Sequence, residues 1–228
     1  MRSWSDRPVC AFDLETTGRD PRTARIVSAS VVVVTDGAHT ESRSWLLDPG
    51  VPIPVGASEV HGISTEYARE HGLPYLEGYA EIRAALDDAW ARDHVVVAFN
   101  ASYDLTLMHW EGIRLGFADL VTGVVVDPYV IDRELDKYRK GKRTLGAMCA
   151  HYGITLDAAH EAHADAVAAA DLAHSLAVTF PEIRELDIMG CQAGWHAERQ
   201  ADFAEYLSRQ GRDASDVNGE WPIRRAAG

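Results

Sequence analysis

The chain changes near residue 94 from consecutive strands to alternating strands and helices, and this change restricts its possible folds more than any other feature. Before that point, strand patterns lie at residues 9–14, 25–35 and 40–47. The turn signal Asp36-Gly37 separates the last two, as in a β-hairpin. We therefore expect these three strands to be antiparallel neighbours in one sheet.

The second part of the chain has the pattern of parallel strands joined by helices. Strand patterns at residues 94–99 and 121–127 alternate with helical patterns, which cover residues 76–90, 104–116, 129–138, 145–152 and 162–178. Alternation of this kind requires crossover connections between parallel strands. The sequence therefore predicts an α/β fold whose mixed five-stranded sheet has three antiparallel and two parallel strands and is flanked by helices.

Length and composition indicate one globular domain with a short extension. The 228 residues exceed the usual length of one domain but fall short of two. We assign residues 1–180 to the domain, 181–210 to a helical appendage and 211–228 to a loose tail. The longest nearly apolar run, residues 26–34, is too short to span a membrane. We expect no membrane partner.

The cysteines and the charge restrict the location and the partners of the protein. Three widely separated cysteines form no CxxC pair, and no secretory signal is visible, so a cytoplasmic protein is expected. The net charge of −13 argues against coating of long nucleic acids. It leaves open an enzyme that binds one end of a strand, since residues 133–143 form a local basic stretch.

Asp13 and Glu15 are the first candidates for chemistry. They lie two residues apart on a predicted strand, so both carboxylates project from the same face. Such a pair is tolerated mainly when a cation lies between the charges. Oxygen-only ligands select Mg²⁺ or Mn²⁺ over zinc. The alternative is a pair of solvated acids at a strand end before Thr16-Thr17-Gly18.

Two further acidic residues and a histidine lie near predicted helix starts. Asp104 follows an apolar strand, where open α/β sheets bind ligands, although helix capping is the alternative. Asp165 lies five residues after His160, whose imidazole is suited to accept a proton from water. His163 is a second candidate base, but its spacing from Asp165 points it to another side of the helix.

Three separated segments resemble, in order, the motifs of the DEDD exonuclease superfamily. They are the run Phe12-Asp13-Leu14-Glu15-Thr16-Thr17-Gly18, the segment around Asp104, and the pair His160 and Asp165. The histidine spacing is that of the DEDDh, DnaQ-like branch, whereas the tyrosine branch would need tyrosine where Glu161 stands. The resemblance covers residues 9–176 and implies a ribonuclease H-like fold.

The resemblance also implies an activity and a set of site residues. It implies a 3′–5′ exonuclease that releases nucleoside 5′-monophosphates by a two-metal mechanism with Mg²⁺ or Mn²⁺. Asp13 would bridge the two ions, His160 would be the general base, and the other metal ligands would be Glu15, Asp104 and Asp165. Residues expected to contact substrate are Thr16, Val60, His61, Ile63, Asn100, Lys140, Lys142 and Arg143. For His61, Asn100 and the basic residues, ordinary structural or solvated roles are the alternatives.

The resemblance leaves the substrate open. Single-stranded DNA 3′ ends are favoured, and a DNA polymerase is a further candidate partner, because the motifs resemble those of the bacterial DNA polymerase III proofreading subunit. RNA trimming of the ribonuclease T or oligoribonuclease type remains the rival, since no motif reads a 2′-hydroxyl. A third possibility is an interaction module whose helix, in residues 182–210, docks a polymerase. The complete set of catalytic positions favours an enzyme.

Overall fold

The computed structural model describes residues 2–156 and 161–225, and its central element is a mixed five-stranded sheet. The strands are β1 (Val9–Thr16), β2 (Ile26–Thr35), β3 (Ala38–Leu46), β4 (Val95–Val97) and β5 (Val125–Val126). Their order is β3-β2-β1-β4-β5. β1 is antiparallel to β2 and parallel to β4, β2 is antiparallel to β3, and β4 is parallel to β5. The predicted mixture of antiparallel and parallel strands is confirmed.

Eight α-helices surround this sheet in the described part of the chain. They are α1 (Val55–His61), α2 (Thr65–His71), α3 (Tyr75–Ala91), α4 (Ala101–Leu115), α5 (Pro128–Leu135), α6 (Leu145–Tyr152), α7 (Ala162–Thr179) and α8 (Ile188–Arg209). The bounds predicted for α6 are confirmed. α4 begins three residues earlier than predicted, and β5 occupies only two of the seven residues expected to be a strand.

The side chains of β1 alternate between two packed layers. Cys10, Phe12 and Leu14 belong to the core shared with α3 and α4. Ala11 instead packs against Ala166 of α7 on the other face of the sheet. Since the odd-numbered residues of β1 share one face, Asp13 and Glu15 project on the side of α7. The alanines of α7 let this helix lie close to β1 and β2.

The described part of the C-terminal segment packs into the core around residues 221–223, which corrects the loose tail predicted for residues 211–228. Trp221 and Ile223 are 9% and 5% exposed and belong to the main hydrophobic cluster. The Trp110 indole donates to the Arg224 carbonyl at 3.0 Å, and the Arg224 N–H donates to Thr106 Oγ1 at 2.9 Å. Burial of two large apolar side chains outweighs the flexibility suggested by their polar neighbours.

The helix predicted within residues 182–210 forms as α8, but it is integrated into the domain. Ile188 is buried in the cluster that contains residues of β4 and β5. Gln192 is fully buried and donates through Nε2 to the Val125 carbonyl at 3.0 Å. α8 is therefore a structural part of the sheet edge rather than an appendage. No helix of the described segments is long and apolar enough to cross a membrane.

Candidate active site

Three of the four predicted metal ligands form a compact carboxylate cluster. Asp13, Glu15 and Asp165 each offer an oxygen, and these oxygens lie within 4.8 Å of one another. β1 supplies two of the carboxylates on its α7 face, and the first turn of α7 supplies the third. Carboxylate oxygens at this spacing fit a hard divalent cation, because such ions prefer several oxygen ligands.

Asp104 belongs electrostatically to the same cluster. It lies in the first turn of α4 and is 4% exposed. Burial raises the pKa of Asp13 well above its usual range, and the charge of Asp104 is the next largest cause. Burial likewise raises the pKa of Asp104, although hydrogen bonds from its own backbone and that of Leu14 oppose the shift. Such repulsion between carboxylates is what a bound cation would relieve.

Burial and the neighbouring charge of Asp165 raise the pKa of Glu15 to about 7. The ordinary value for glutamate is about 4.3, so the folded protein binds this proton more tightly than the unfolded chain does. The stabilisation is fully present below about pH 4.3 and is lost as the pH rises to about 7. Above that range Glu15 is ionised and ready to bind a cation.

A divalent ion should therefore stabilise the protein more at pH 8 than at pH 5. We expect the Mn²⁺-induced rise in Tm, measured against EDTA, to be several degrees larger at the higher pH, since protons compete with the ion at low pH. Glu15→Gln should reduce this difference, and the exposed control Glu59→Gln should retain it. Equal Mn²⁺ effects at both pH values in the wild type would contradict the metal site.

Asp127 positions the start of α4, and the sequence reasoning missed it. This fully buried residue follows β5 and accepts hydrogen bonds from the backbone N–H groups of Asn100 and Ala101, both at 2.9 Å. Asn100 has a left-handed backbone with φ 61°, and its side chain makes no capping bond. Asp127 therefore caps α4, the helix that carries Asp104. The available signal was Asp127 before Pro128, a common start of a helix.

The Asp127 carboxylate also caps its own helix and lies beside the C-terminal segment. It accepts from the Tyr129 N–H at 3.0 Å, and Trp221 Nε1 lies 3.5 Å from Oδ2. Gln192 Oε1 accepts the Asp127 N–H at 2.7 Å. Burial raises the pKa of Asp127 to about 6, while the hydrogen bonds from Asn100, Trp221 and Tyr129 to its carboxylate oppose the shift. Gln192 of α8 and Trp221 thus hold Asp127 in place, and Asp127 in turn holds the start of α4.

Four of the predicted substrate contacts lie along two clefts next to Glu15. Thr16, Val60 and His61 line a cleft of about 440 Å³, and Val60 is 50% exposed there. Ile63 lines a second cleft of about 300 Å³, which shares Glu15 and His61 with the first. His61 is mostly buried at the end of α1, and its Nδ1 accepts the Ile63 N–H at 3.1 Å. His61 therefore also has a structural role.

The hydroxyl of Tyr103, a residue of α4, is hydrogen-bonded to the end of β1 and the loop that follows it. No sequence signal identified this role of Tyr103. Its hydroxyl lies 2.6 Å from Thr16 Oγ1 and donates to the Gly18 carbonyl. Thr16 Oγ1 also donates to the Gly18 carbonyl at 2.9 Å. Burial raises the pKa of Tyr103 to about 12, so its hydroxyl stays protonated. The Thr16 hydroxyl is thus used within the protein, and its substrate contact stays a prediction.

The basic stretch divides into exposed lysines and buried arginines. Lys140 and Lys142 are exposed, as phosphate contacts require. Arg143 is only 10% exposed and binds the fully buried Asp132 carboxylate, which also accepts from Arg139 at 2.9 and 3.0 Å. The expectation that Arg143 contacts phosphate is therefore corrected, because a buried ion pair breaks only at high cost.

The two candidate bases differ in what the structure describes. His160 lies outside the described residues. His163 is exposed, its Nδ1 lies 3.2 Å from Ser42 Oγ of β3, and it lines the 300 Å³ cleft with Glu15. His163 thus lies beside the acidic cluster, and the prediction that it points to another side of α7 than Asp165 stays a prediction. Asn100 is exposed and lies four residues before Asp104, and its substrate contact stays a prediction.

Comparisons with known proteins match most of the chain. The family model described as Exonuclease (RNase_T) matches residues 10–173. DNA polymerase III PolC-type from Listeria monocytogenes is 27% identical over 184 residues, which are 80% of this chain and 12% of that relative. The corresponding protein from Clostridium perfringens is 28% identical over 180 residues, 79% of this chain and 12% of the relative. The chain therefore spans a small part of these relatives.

Solved structures share the fold at low sequence identity. E. coli exonuclease I in complex with a dT13 oligonucleotide matches with a TM-score of 0.69 and 18% identity, over 78% of this chain and 42% of that one. Exonuclease I from Methylocaldum szegediense matches with a TM-score of 0.66 and 19% identity, over 88% and 46% of the two chains. The predicted ribonuclease H-like fold is confirmed by these likenesses.

Proposed function

This chain belongs to the Exonuclease family, whose model matches residues 10–173, and from this premise we propose that it hydrolyses phosphodiester bonds at nucleic-acid 3′ ends. The products would be nucleoside 5′-monophosphates, released one at a time. The observation that carries the proposal is the cluster of Asp13, Glu15 and Asp165 oxygens within 4.8 Å. The cluster borders two clefts that could receive the terminal nucleotide.

The donor set supports binding of two divalent cations, Mg²⁺ or Mn²⁺, by Asp13, Glu15, Asp104 and Asp165. Ions bound there would make the attacking water more acidic and stabilise negative charge on the leaving oxygen. Asp13 is surrounded by the other three carboxylates, each of which raises its pKa, so it is suited to bridge the ions. His160 would accept the proton of the attacking water.

DNA is the favoured substrate, with single-stranded 3′ ends as the target. Support comes from the relatives, which are DNA polymerases III by name, and from the exonuclease I structure with dT13. Lys140 and Lys142 would contribute phosphate contacts at the exposed connection before α6. A DNA polymerase partner and a cytoplasmic location remain part of this proposal. RNA stays the rival substrate, because none of the motifs reads a 2′-hydroxyl.

The decisive experiment is a gel time course on matched 5′-labelled single-stranded DNA and RNA, with Mg²⁺, Mn²⁺ or EDTA. We expect a ladder that shortens from the 3′ end, requires a divalent ion and is faster on DNA. His160→Ala should slow it by about 100-fold or more, as for loss of a general base. The exposed control His174→Ala should keep the wild-type rate.

The outcomes separate the competing functions. Faster shortening of RNA would assign the RNA-trimming alternative. No shortening of either polymer under any of these conditions would reject the enzyme and leave the interaction module. Equal rates for His160→Ala and wild type would leave the exonuclease in place but remove His160 as the base.

A further inference from the structure

A groove of about 430 Å³ lies between α5 and α8, at the same edge of the sheet as the acidic site. Five of the residues that line this α5–α8 groove are Tyr129, Arg133, Trp195, Arg199 and Phe203. α5 begins directly after β5, which is parallel to β4, and β4 is parallel to β1. The Tyr129 ring lies 5.6 Å from the ring of Phe99, the neighbour of Asn100. One end of the groove is therefore connected to the start of α4 by the contact between Tyr129 and Phe99.

Two arginines of the groove have no carboxylate partner within residues 2–156 and 161–225. Arg133 Nη1 donates to the Tyr129 hydroxyl at 2.6 Å, while its buried Nε makes no hydrogen bond to a described residue. Arg199 Nη2 donates to the Arg133 carbonyl at 3.1 Å. Burial, followed by the charge of Arg133, lowers the pKa of Arg199. The charge of Glu134 acts on Arg199, but neither guanidinium forms an ion pair within the described residues. Two neighbouring guanidinium groups of this kind favour an anion, and phosphate matches their geometry.

The acidic residues of the groove weaken this attraction only in part. Glu134 and Asp202 also line the groove. The Glu134 carboxylate lies 3.5 Å from Lys137 Nζ, so a lysine offsets part of its charge. Within the described residues the groove therefore balances its two arginines against Asp202 and a partly neutralised Glu134, which makes it less acidic than a chain whose net charge is −13.

Aromatic side chains complete the features of a single-strand binding surface. Phe203 is 48% exposed although it is a large apolar residue, and Trp195 forms a partly buried wall. Exposed rings beside arginines bind single strands, because bases stack on the rings while phosphates contact the guanidinium groups. A protein or lipid partner would not require exposed rings next to two neighbouring arginines.

We propose that the α5–α8 groove binds the nucleotides upstream of the scissile bond in a single-stranded substrate. Arg133 and Arg199 would bind backbone phosphates, and Phe203 would stack on a base. This inference rests on the proposed exonuclease function of the neighbouring site. In this proposal Arg133 and Arg199, rather than Arg143, contact the backbone phosphates.

The test compares a long and a minimal substrate in the double variant Arg133→Gln/Arg199→Gln of the full chain. Binding of labelled dT12 is measured by fluorescence anisotropy with Ca²⁺, and hydrolysis of dT12 and dT2 is measured with Mn²⁺. We expect the variant to bind dT12 about tenfold more weakly and to lower the slope of log K against log salt by about 1.4, for two lost phosphate contacts. Its kcat/KM on dT2 should stay within about twofold of wild type.

Arg209→Gln is the matched control, because Arg209 lies on the same helix, is exposed and pairs with Glu205. It should change neither the affinity nor the salt slope. Phe203→Ala provides a second variant with little risk to folding and should weaken dT12 binding about fivefold through lost stacking. Wild-type affinity and salt slope in both groove variants would overturn the inference. If the wild-type protein hydrolyses neither dT12 nor dT2, the proposed function itself fails, whatever the groove binds.

Discussion

Asp13→Ala should lower the rate of 3′-end hydrolysis by about 10⁴-fold, which corresponds to about 5 kcal/mol of transition-state stabilisation. Asp13 is the carboxylate around which Glu15, Asp104 and Asp165 are arranged. Removing it would deprive both proposed cations of their shared ligand, so activity should fall without a large change in substrate binding. Single-turnover hydrolysis of a 5′-labelled oligonucleotide in Mn²⁺ measures the effect.

The same substitution should stabilise the protein when metal is absent. Burial and three neighbouring carboxylates oppose ionisation of Asp13, so its removal relieves repulsion in the folded state. In EDTA at pH 8 the Tm of Asp13→Ala should exceed that of wild type, and Mn²⁺ should raise it less. Asp171→Ala, on an exposed position of α7, is the control and should behave as wild type. An inactive Asp13→Ala with a lower Tm in EDTA would point to misfolding rather than to a lost ligand.

Asp127→Ala should lower the free energy of unfolding by about 3 kcal/mol, from a lost cap and buried N–H groups left without acceptors. The Asn100 and Ala101 N–H groups each lose a bond of 2.9 Å, and the Tyr129 N–H loses one of 3.0 Å. Because Asp104 lies in the turn that these bonds hold, activity should also fall by about 100-fold. Urea unfolding and the oligonucleotide assay measure the two effects.

Asp187→Ala is the matched control for Asp127→Ala. Asp187 caps α8 by accepting the Gly190 N–H at 3.3 Å, but it is exposed and distant in sequence from the acidic site. Its loss should cost about 1 kcal/mol of stability and leave activity unchanged. If Asp127→Ala were as mild as Asp187→Ala and fully active, Asp127 would not position Asp104.

Local sequence patterns predicted most of the helices and strands and their order along the chain. The prediction that Asp13 and Glu15 share one face of a strand agrees with β1, which extends two residues beyond the predicted range 9–14 and includes both, because side chains of a strand alternate between two faces. The helical spacing of residues 145–152 predicted α6 with its observed bounds. The C-terminal segment was predicted less well, since isolated apolar residues such as Trp221 give no periodicity to read.

The sequence alone determined the fold class and the pairing of Asp13 with Glu15, because both depend on local geometry, whereas Asp104 and Asp165 were expected from the resemblance to the DEDD exonuclease superfamily. A period of two places paired carboxylates together, and strand–helix alternation requires a parallel extension of the sheet. The Exonuclease family model, which matches residues 10–173, agrees with that prediction.

Only the tertiary structure decided which partners the remaining charged residues have. Arg143 is paired with Asp132, eleven residues away, and Asp127 caps α4 from 26 residues further along the chain. Gln192 then holds the Asp127 backbone from 65 residues away. The choice of partner for a charged or polar group depends on which groups packing brings within hydrogen-bond distance and removes from water. The spacing of two residues along the sequence does not determine that distance.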